Sequence, residues 1–300
     1  MTQIVFITRI ICISIVPRKE RLMSVNSKKK TIKDLNLLDA FLFSETTKNP
    51  DNAKLIAQTV IRRVFGWQIA DIQVETEKQY HGTKIGRKGI RLDIQVTEKE
   101  DGKIIRLYDI EPNTYRDKFI AKRSRYYLSL SDAKLLGTSE YYGELPDYFS
   151  VWILPYDPFG DNRIMYTVKN IVVENPQIVY NEGVTRIFLY TDGEIGGSEE
   201  LKNLLKYFKE SSECNAVDPE LQKIQSIVSD IRNNEEVGER YMTLEELIRY
   251  EKHDSYEEGI IKGFISANRE FGKSDEEIIQ ILIDKYSLTR EKAAQKVTDN

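Results

Sequence analysis

The sequence predicts a mixed α/β fold with a helical C-terminal appendage, and three patterns predict it. Helix-like and strand-like segments interleave through the first two thirds of the 300 residues. A turn dipeptide, Asp101-Gly102, separates two alternating runs, and beyond Pro219 the apolar residues recur at helical spacing.

Taken in order, residues 35–43 read as a first helix and residues 52–65 as a second. Asp51 or Asn52 is the expected cap of the second, Ile56, Val60 and Val64 its stripe, and Gly66 its stop. Residues 67–80 read as a strand and residues 82–89 as a basic loop. In the next run Ile90, Leu92, Ile94 and Val96 alternate with Arg91, Asp93 and Gln95, so a period of two puts the apolar set on one face and Asp93 on the other. The returning strand, residues 103–111, places Ile105, Leu107, Asp109 and Glu111 on one face and Ile104, Arg106, Tyr108 and Ile110 on the other. Pro112 has no N–H and ends that ladder just after Glu111.

Residues 115–136 form the longest helix candidate of the body, and it is basic: Arg116, Lys118, Lys122, Arg123, Arg125 and Lys134 stand against Asp117 and Asp132. Strands are expected at 149–154, 163–173 and 184–190, and Ser198 opens a helix with Glu199 and Glu200 in its first turn. After a break at 211–219, Leu221, Ile224, Val228 and Ile231 mark one helix. Thr243 with Glu246, and Ser274 with Glu277, have the capping-box spacing that opens two more.

Composition narrows the chemistry. The two cysteines, Cys12 and Cys214, make a disulfide framework improbable and suit a reducing cytoplasm. With His81 and His253 as the sole histidines, a structural zinc site or a histidine triad is disfavoured, so any metal is expected to be held by oxygen. The net charge of −4 is unevenly placed: residues 235–300 carry 16 acids and 10 bases, leaving the body near neutral. Residues 4–16 are apolar but broken by Arg9 and too short to span a bilayer, so no membrane partner is expected. That segment reads as a frayed strand or as part of an over-extended start with Met23 as the true beginning; a weak signal sequence is the alternative.

Asp93 and Glu111, on adjoining strands, are the candidate metal-binding carboxylates. Hard divalent cations favour such ligands, and magnesium uses one or two carboxylates together with water and phosphate oxygens. The competing reading of the same spacing is two solvated acids on the polar face of a half-exposed hairpin.

A run of short motifs resembles a known family. These are Leu38-Asp39-Ala40-Phe41, Arg91-Leu92-Asp93, Asp109-Ile110-Glu111, Arg125-Tyr126-Tyr127 and Leu145-Pro146-Asp147-Tyr148, followed by Tyr156-Asp157-Pro158-Phe159-Gly160, Thr185-Arg186-Ile187-Phe188-Leu189, Glu199-Glu200-Leu201 and Arg240-Tyr241-Met242. In this order they resemble the Rpn-type recombination-promoting nucleases and transposase relatives of the PD-(D/E)XK nuclease superfamily, over most of residues 35–247. The resemblance implies a restriction-endonuclease-like mixed sheet flanked by helices, DNA as substrate and a magnesium-dependent cut, with manganese as a substitute. By the same likeness Asp93 and Glu111 are the catalytic acids, and Asp39 is an acid of the first helix that completes the site. Asn113 stands where the family usually has Gln and the wider superfamily Lys. Its amide sits on a shorter arm behind the rigid Pro112, so a catalytically weakened DNA-binding or oligomeric scaffold is the alternative to an active endonuclease.

Arg123 and Arg125 are the expected phosphate contacts, and Tyr126 is expected to stack or hydrogen-bond beside the cleft. The expected organisation is a poorly ordered segment over 1–33, a nuclease-like domain over 34–210, a helical extension over 211–250 and a helical tail over 251–300 whose apolar faces suit self-association.

Overall fold

A computed structural model describes residues 30–69, 72–81, 88–137 and 139–300. The expectations for the N-terminal apolar segment and for most of the basic loop at 82–89 lie outside these residues.

Strands β1 (Ile72–Tyr80), β2 (Ile90–Glu100) and β3 (Lys103–Pro112) form an antiparallel meander, β1 pairing with β2 and β2 with β3. The β2–β3 turn is Asp101-Gly102, with φ of 49° and 78°. Positive φ at both central residues matches the right-handed twist of the flanking strands, which is why an Asp-Gly pair makes this turn. Helix α3 (Ile120–Leu135) then connects β3 to β4 (Asp147–Leu154), which pairs parallel to β3. Strand β6 (Val184–Tyr190) pairs parallel to β4, and β5 (Met165–Val168) closes that edge antiparallel to β6. The result is one mixed, open, six-stranded sheet in the order β1-β2-β3-β4-β6-β5. The strand expected over 163–173 is thus reduced to four residues.

One face of the sheet carries α1 (Ala40–Thr47), α2 (Pro50–Phe65), α4 (Glu199–Lys209) and α5 (Pro219–Asn233). Ile56, Val60, Leu204, Phe208, Leu221 and Ile224 share a core with Ile94, Tyr108, Ile110, Val151 and Ile153 there. The other face carries α3, where Ile120, Tyr127 and Leu130 pack on Trp152, Leu154 and Phe188. Strand β4 shows why both faces are covered: Val151 and Ile153 enter one cluster, Trp152 and Leu154 the other. Each such buried side chain contributes roughly 1.5–3 kcal/mol relative to exposure.

Local boundaries differ from the expected ones where a better cap is available. Helix α1 begins at Ala40, behind Asp39, and not at residue 35. Asn49 caps α2, accepting from the N–H groups of Asp51 and Asn52, because Pro50 occupies the first helical position where no N–H is needed. Helix α3 starts at Ile120, leaving 113–119 as a loop.

The region beyond 211 is divided by packing. Leu221, Ile224, Val228, Val237 and Tyr241 belong to the main core. A single helix, α6 (Glu235–Glu270), runs for 36 residues, about 54 Å at 1.5 Å per residue, through the start expected at Thr243. The Thr243 hydroxyl donates back to the Glu239 carbonyl instead of capping. At its far end Ile261 and Ile265 pack with α7 (Asp275–Tyr286) and α8 (Arg290–Thr298) through Ile278, Leu282, Ala293 and Val297. The Ser274–Glu277 capping box of α7 forms with both of its bonds. Among the described residues no helix is long and apolar enough to cross a membrane.

Candidate active site

Strand β2 does not keep its apolar residues on one face. Ile94 and Val96 pack on the α2 side, whereas Ile90 and Leu92 pack on the α3 side with Trp152. The reversal falls at Asp93. On the neighbouring strand it is matched at Glu77, which adopts φ 50° between the Thr76–Ile94 and Lys78–Leu92 pairs. A left-handed non-glycine residue costs about 1–2 kcal/mol, so the surrounding packing imposes this turn-over.

The hairpin register, with Ile94 opposite Ile110, sets Asp93 beside the end of β3. Its backbone N–H donates to Glu111 Oε1 at 3.0 Å. Both carboxylates line a cleft of about 310 Å³ together with Arg91, Asn113, Tyr115, Arg123 and Tyr127. The β3–β4 pairing sets Glu111 opposite Trp152, giving it a dry floor, and only 1% of Glu111 is exposed.

Burial dominates the electrostatics. It pushes Asp93 up to about 6, with Arg91 and Arg123 pulling back and Glu77 adding to the rise. Burial likewise raises Glu111 well above the usual carboxylate range, helped by the charges of Asp93 and Asp109 and opposed by the Asp93 N–H and Arg123. Two carboxylates in one low-dielectric pocket cannot both ionise cheaply without a cation. Among the described residues no group of three or more His, Cys, Asp or Glu side chains could hold a metal. Asp93 and Glu111 are the carboxylates lining the cleft, hard oxygen ligands of the kind magnesium uses beside water and phosphate oxygens.

Of the two arginines lining this cleft, Arg123 is the more enclosed. Its Nη1 donates to the Tyr115 hydroxyl at 2.6 Å, and its Nε and Nη2 donate to the Tyr127 hydroxyl at 3.3 and 3.1 Å. The guanidinium also lies 5.0 Å from the Trp152 ring centre. Three aromatic side chains thereby fix its position, and Asp117 forms a long ion pair with it, its carboxylate 3.8 Å from Nη1.

Other expected site residues sit elsewhere. Asp39 does not line the cleft: its carboxylate accepts from the Asn36 N–H, and its neighbour Ala40 lines the cleft in its place. Arg125 is exposed, and as the second residue after Arg123 it is turned about 200° around the helix axis from it. Tyr126 lies outside the cleft lining as well, its hydroxyl donating to the Lys88 carbonyl. Arg123 and Tyr127 are the α3 residues that reach it, and their four-residue spacing is the signal that marks a shared helix face. Asn113 lines the cleft, and its amide nitrogen donates to the Tyr115 carbonyl at 2.8 Å, holding the loop.

A buried polar chain supports the floor. Gln95 accepts from Lys78 and the Tyr80 hydroxyl and donates to Asp109, which also accepts from the Tyr148 hydroxyl.

No family model, curated protein or solved structure matches this chain. The functional reading accordingly stands on the cleft itself.

Proposed function

We propose that this chain is a magnesium-dependent DNA endonuclease with a restriction-endonuclease-like core. The observation that carries the reading is the convergence of Asp93 and Glu111 in one cleft beside an arginine held in place by aromatic side chains. Bound between the two carboxylates, magnesium would lower the pKa of a water ligand and offset charge building on the scissile phosphate. Asp93 and Glu111 would hold that ion. Arg123 would orient a non-bridging phosphate oxygen, its planar fork being already immobilised by Tyr115 and Tyr127. Arg91, at the same cleft wall, adds a second positive group for the phosphate backbone.

A second reading, DNA binding without cutting, is favoured by one contact. One N–H of the Asn113 amide is spent on the Tyr115 carbonyl, which reduces what that side chain has left for placing a water. Supercoiled plasmid with magnesium separates the two. The active-site reading expects nicking that EDTA stops and that Asp93→Asn and Glu111→Gln each remove while circular dichroism stays unchanged. Nicking that persists in both variants moves the chemistry elsewhere; salt-sensitive binding with no nicking in the wild-type chain selects the scaffold.

A further inference from the structure

The loop leading from the cleft to α3 displays two aromatic rings whose faces the chemistry above does not use. Tyr115 is 58% exposed and Phe119 54% exposed, while Tyr127 and Trp152, deeper in the same region, are buried. Ring and cation are interleaved. Lys118 and Lys122 place their ammonium groups 4.9 and 5.6 Å from the Phe119 ring centre, and the Arg123 guanidinium lies 5.8 Å from that of Tyr115. From 115 to 126 the chain carries Arg116, Lys118, Lys122, Arg123 and Arg125 against a single acid, Asp117. That acid is engaged internally, accepting from the Phe119 N–H at 2.7 Å.

Two large rings exposed within five residues of each other, one of them lining the cleft, suit a ligand with flat apolar faces. The surrounding cations specify that the ligand is anionic. Intact duplex DNA hides its base faces within the stack, whereas an unpaired strand offers both faces and phosphates. We propose that the substrate reaches the cleft as an unpaired stretch of DNA, its bases stacking on Tyr115 and Phe119 and its phosphates held by Lys118 and Lys122. The backbone would then pass directly to Asp93 and Glu111, a direction of travel that rests on the nuclease reading.

Binding is measured without metal, by fluorescence anisotropy of the full chain with labelled oligothymidylate and with a duplex of equal length. Wild-type protein is expected to prefer the single strand. Phe119→Ala is expected to weaken single-strand binding by about 5- to 100-fold, the usual cost of losing one stacking platform, and to leave duplex binding unchanged. Phe119→Trp, which keeps a flat ring, restores affinity, so a general loss of structure is distinguished from loss of stacking. Lys118→Ala weakens both DNAs and flattens the salt dependence. Equal affinity of wild type for both DNAs, or equal losses on both in Phe119→Ala, overturns the proposal. Ring-dependent binding to single strands with no nicking by any form would sink the nuclease reading and spare this one; nicking with ring-independent binding would do the reverse.

Discussion

The backbone N–H of Asp93 donates to Oε1 of Glu111 across 3.0 Å, tying β2 to a carboxylate at the end of β3. The acceptor survives in glutamine, but the charge does not. Glu111→Gln is therefore expected to abolish nicking while raising the melting temperature, because burial and the charges of Asp93 and Asp109 all disfavour ionised Glu111. Differential scanning calorimetry beside a plasmid assay checks this, and a variant that both melts lower and nicks normally would contradict it.

Arg123→Lys keeps one positive charge and discards the fork held by Tyr115 and Tyr127. Nicking is expected to drop by about 10- to 100-fold, the scale of a misplaced positioning group. Arg125→Ala, altered on the exposed face of α3, should leave the cutting rate near that of wild type. Rates at saturating magnesium decide between them.

Asp157, which does not line the cleft, supplies a pH signature of its own. Burial opposes its ionisation, but the N–H groups of Phe159, Gly160 and Asn162 and the Tyr166 hydroxyl outweigh it and hold the carboxyl at about 2. A folded-state pKa below the ordinary 3.8 stabilises the fold at neutral pH, and that contribution is lost as pH falls through 3.8 toward 2. Asp157→Asn is expected to lower the melting temperature at pH 7 by an amount worth under about 1 kcal/mol, since the site is solvent-screened. The gap from wild type should shrink in melts recorded below about pH 4, near the ordinary carboxylate pKa.

Ile224→Ala and Leu247→Ala test where the body ends. Ile224 is fully buried in the main core, and its truncation is expected to cost about 2–5 kcal/mol. Leu247 is 57% exposed on α6, and its truncation should shift stability by less than about 0.5 kcal/mol. Urea titrations of the two variants give both values.

Much of the body is readable from residue order. The β2–β3 hairpin follows from Asp101-Gly102 and from alternation that needs no tertiary information. The carboxylate pair follows from the hairpin. What alternation does not supply is the reversal at Asp93, because it depends on Glu77 taking a left-handed conformation on the neighbouring strand. The choice of Arg123 and Tyr127 over Arg125 and Tyr126 likewise depends on how α3 is rotated against Trp152, which periodicity alone leaves free. Asp39 stays out of the cleft for a local reason: as the residue preceding α1 it folds back onto the Asn36 N–H. Thr243 does not begin a helix because Asn234, upstream of it, already opens one by accepting from the Val237 N–H, and nothing between them interrupts the backbone ladder.

Between Tyr241 and Ile261 no side chain of α6 is buried. Cooperativity in unfolding is transmitted through packed interiors, and here the packing lapses over about five turns of helix, at roughly 3.6 residues each. The Ile265–Leu282 cluster should consequently melt as a calorimetric unit of its own, with a transition temperature indifferent to cavities cut beneath the sheet.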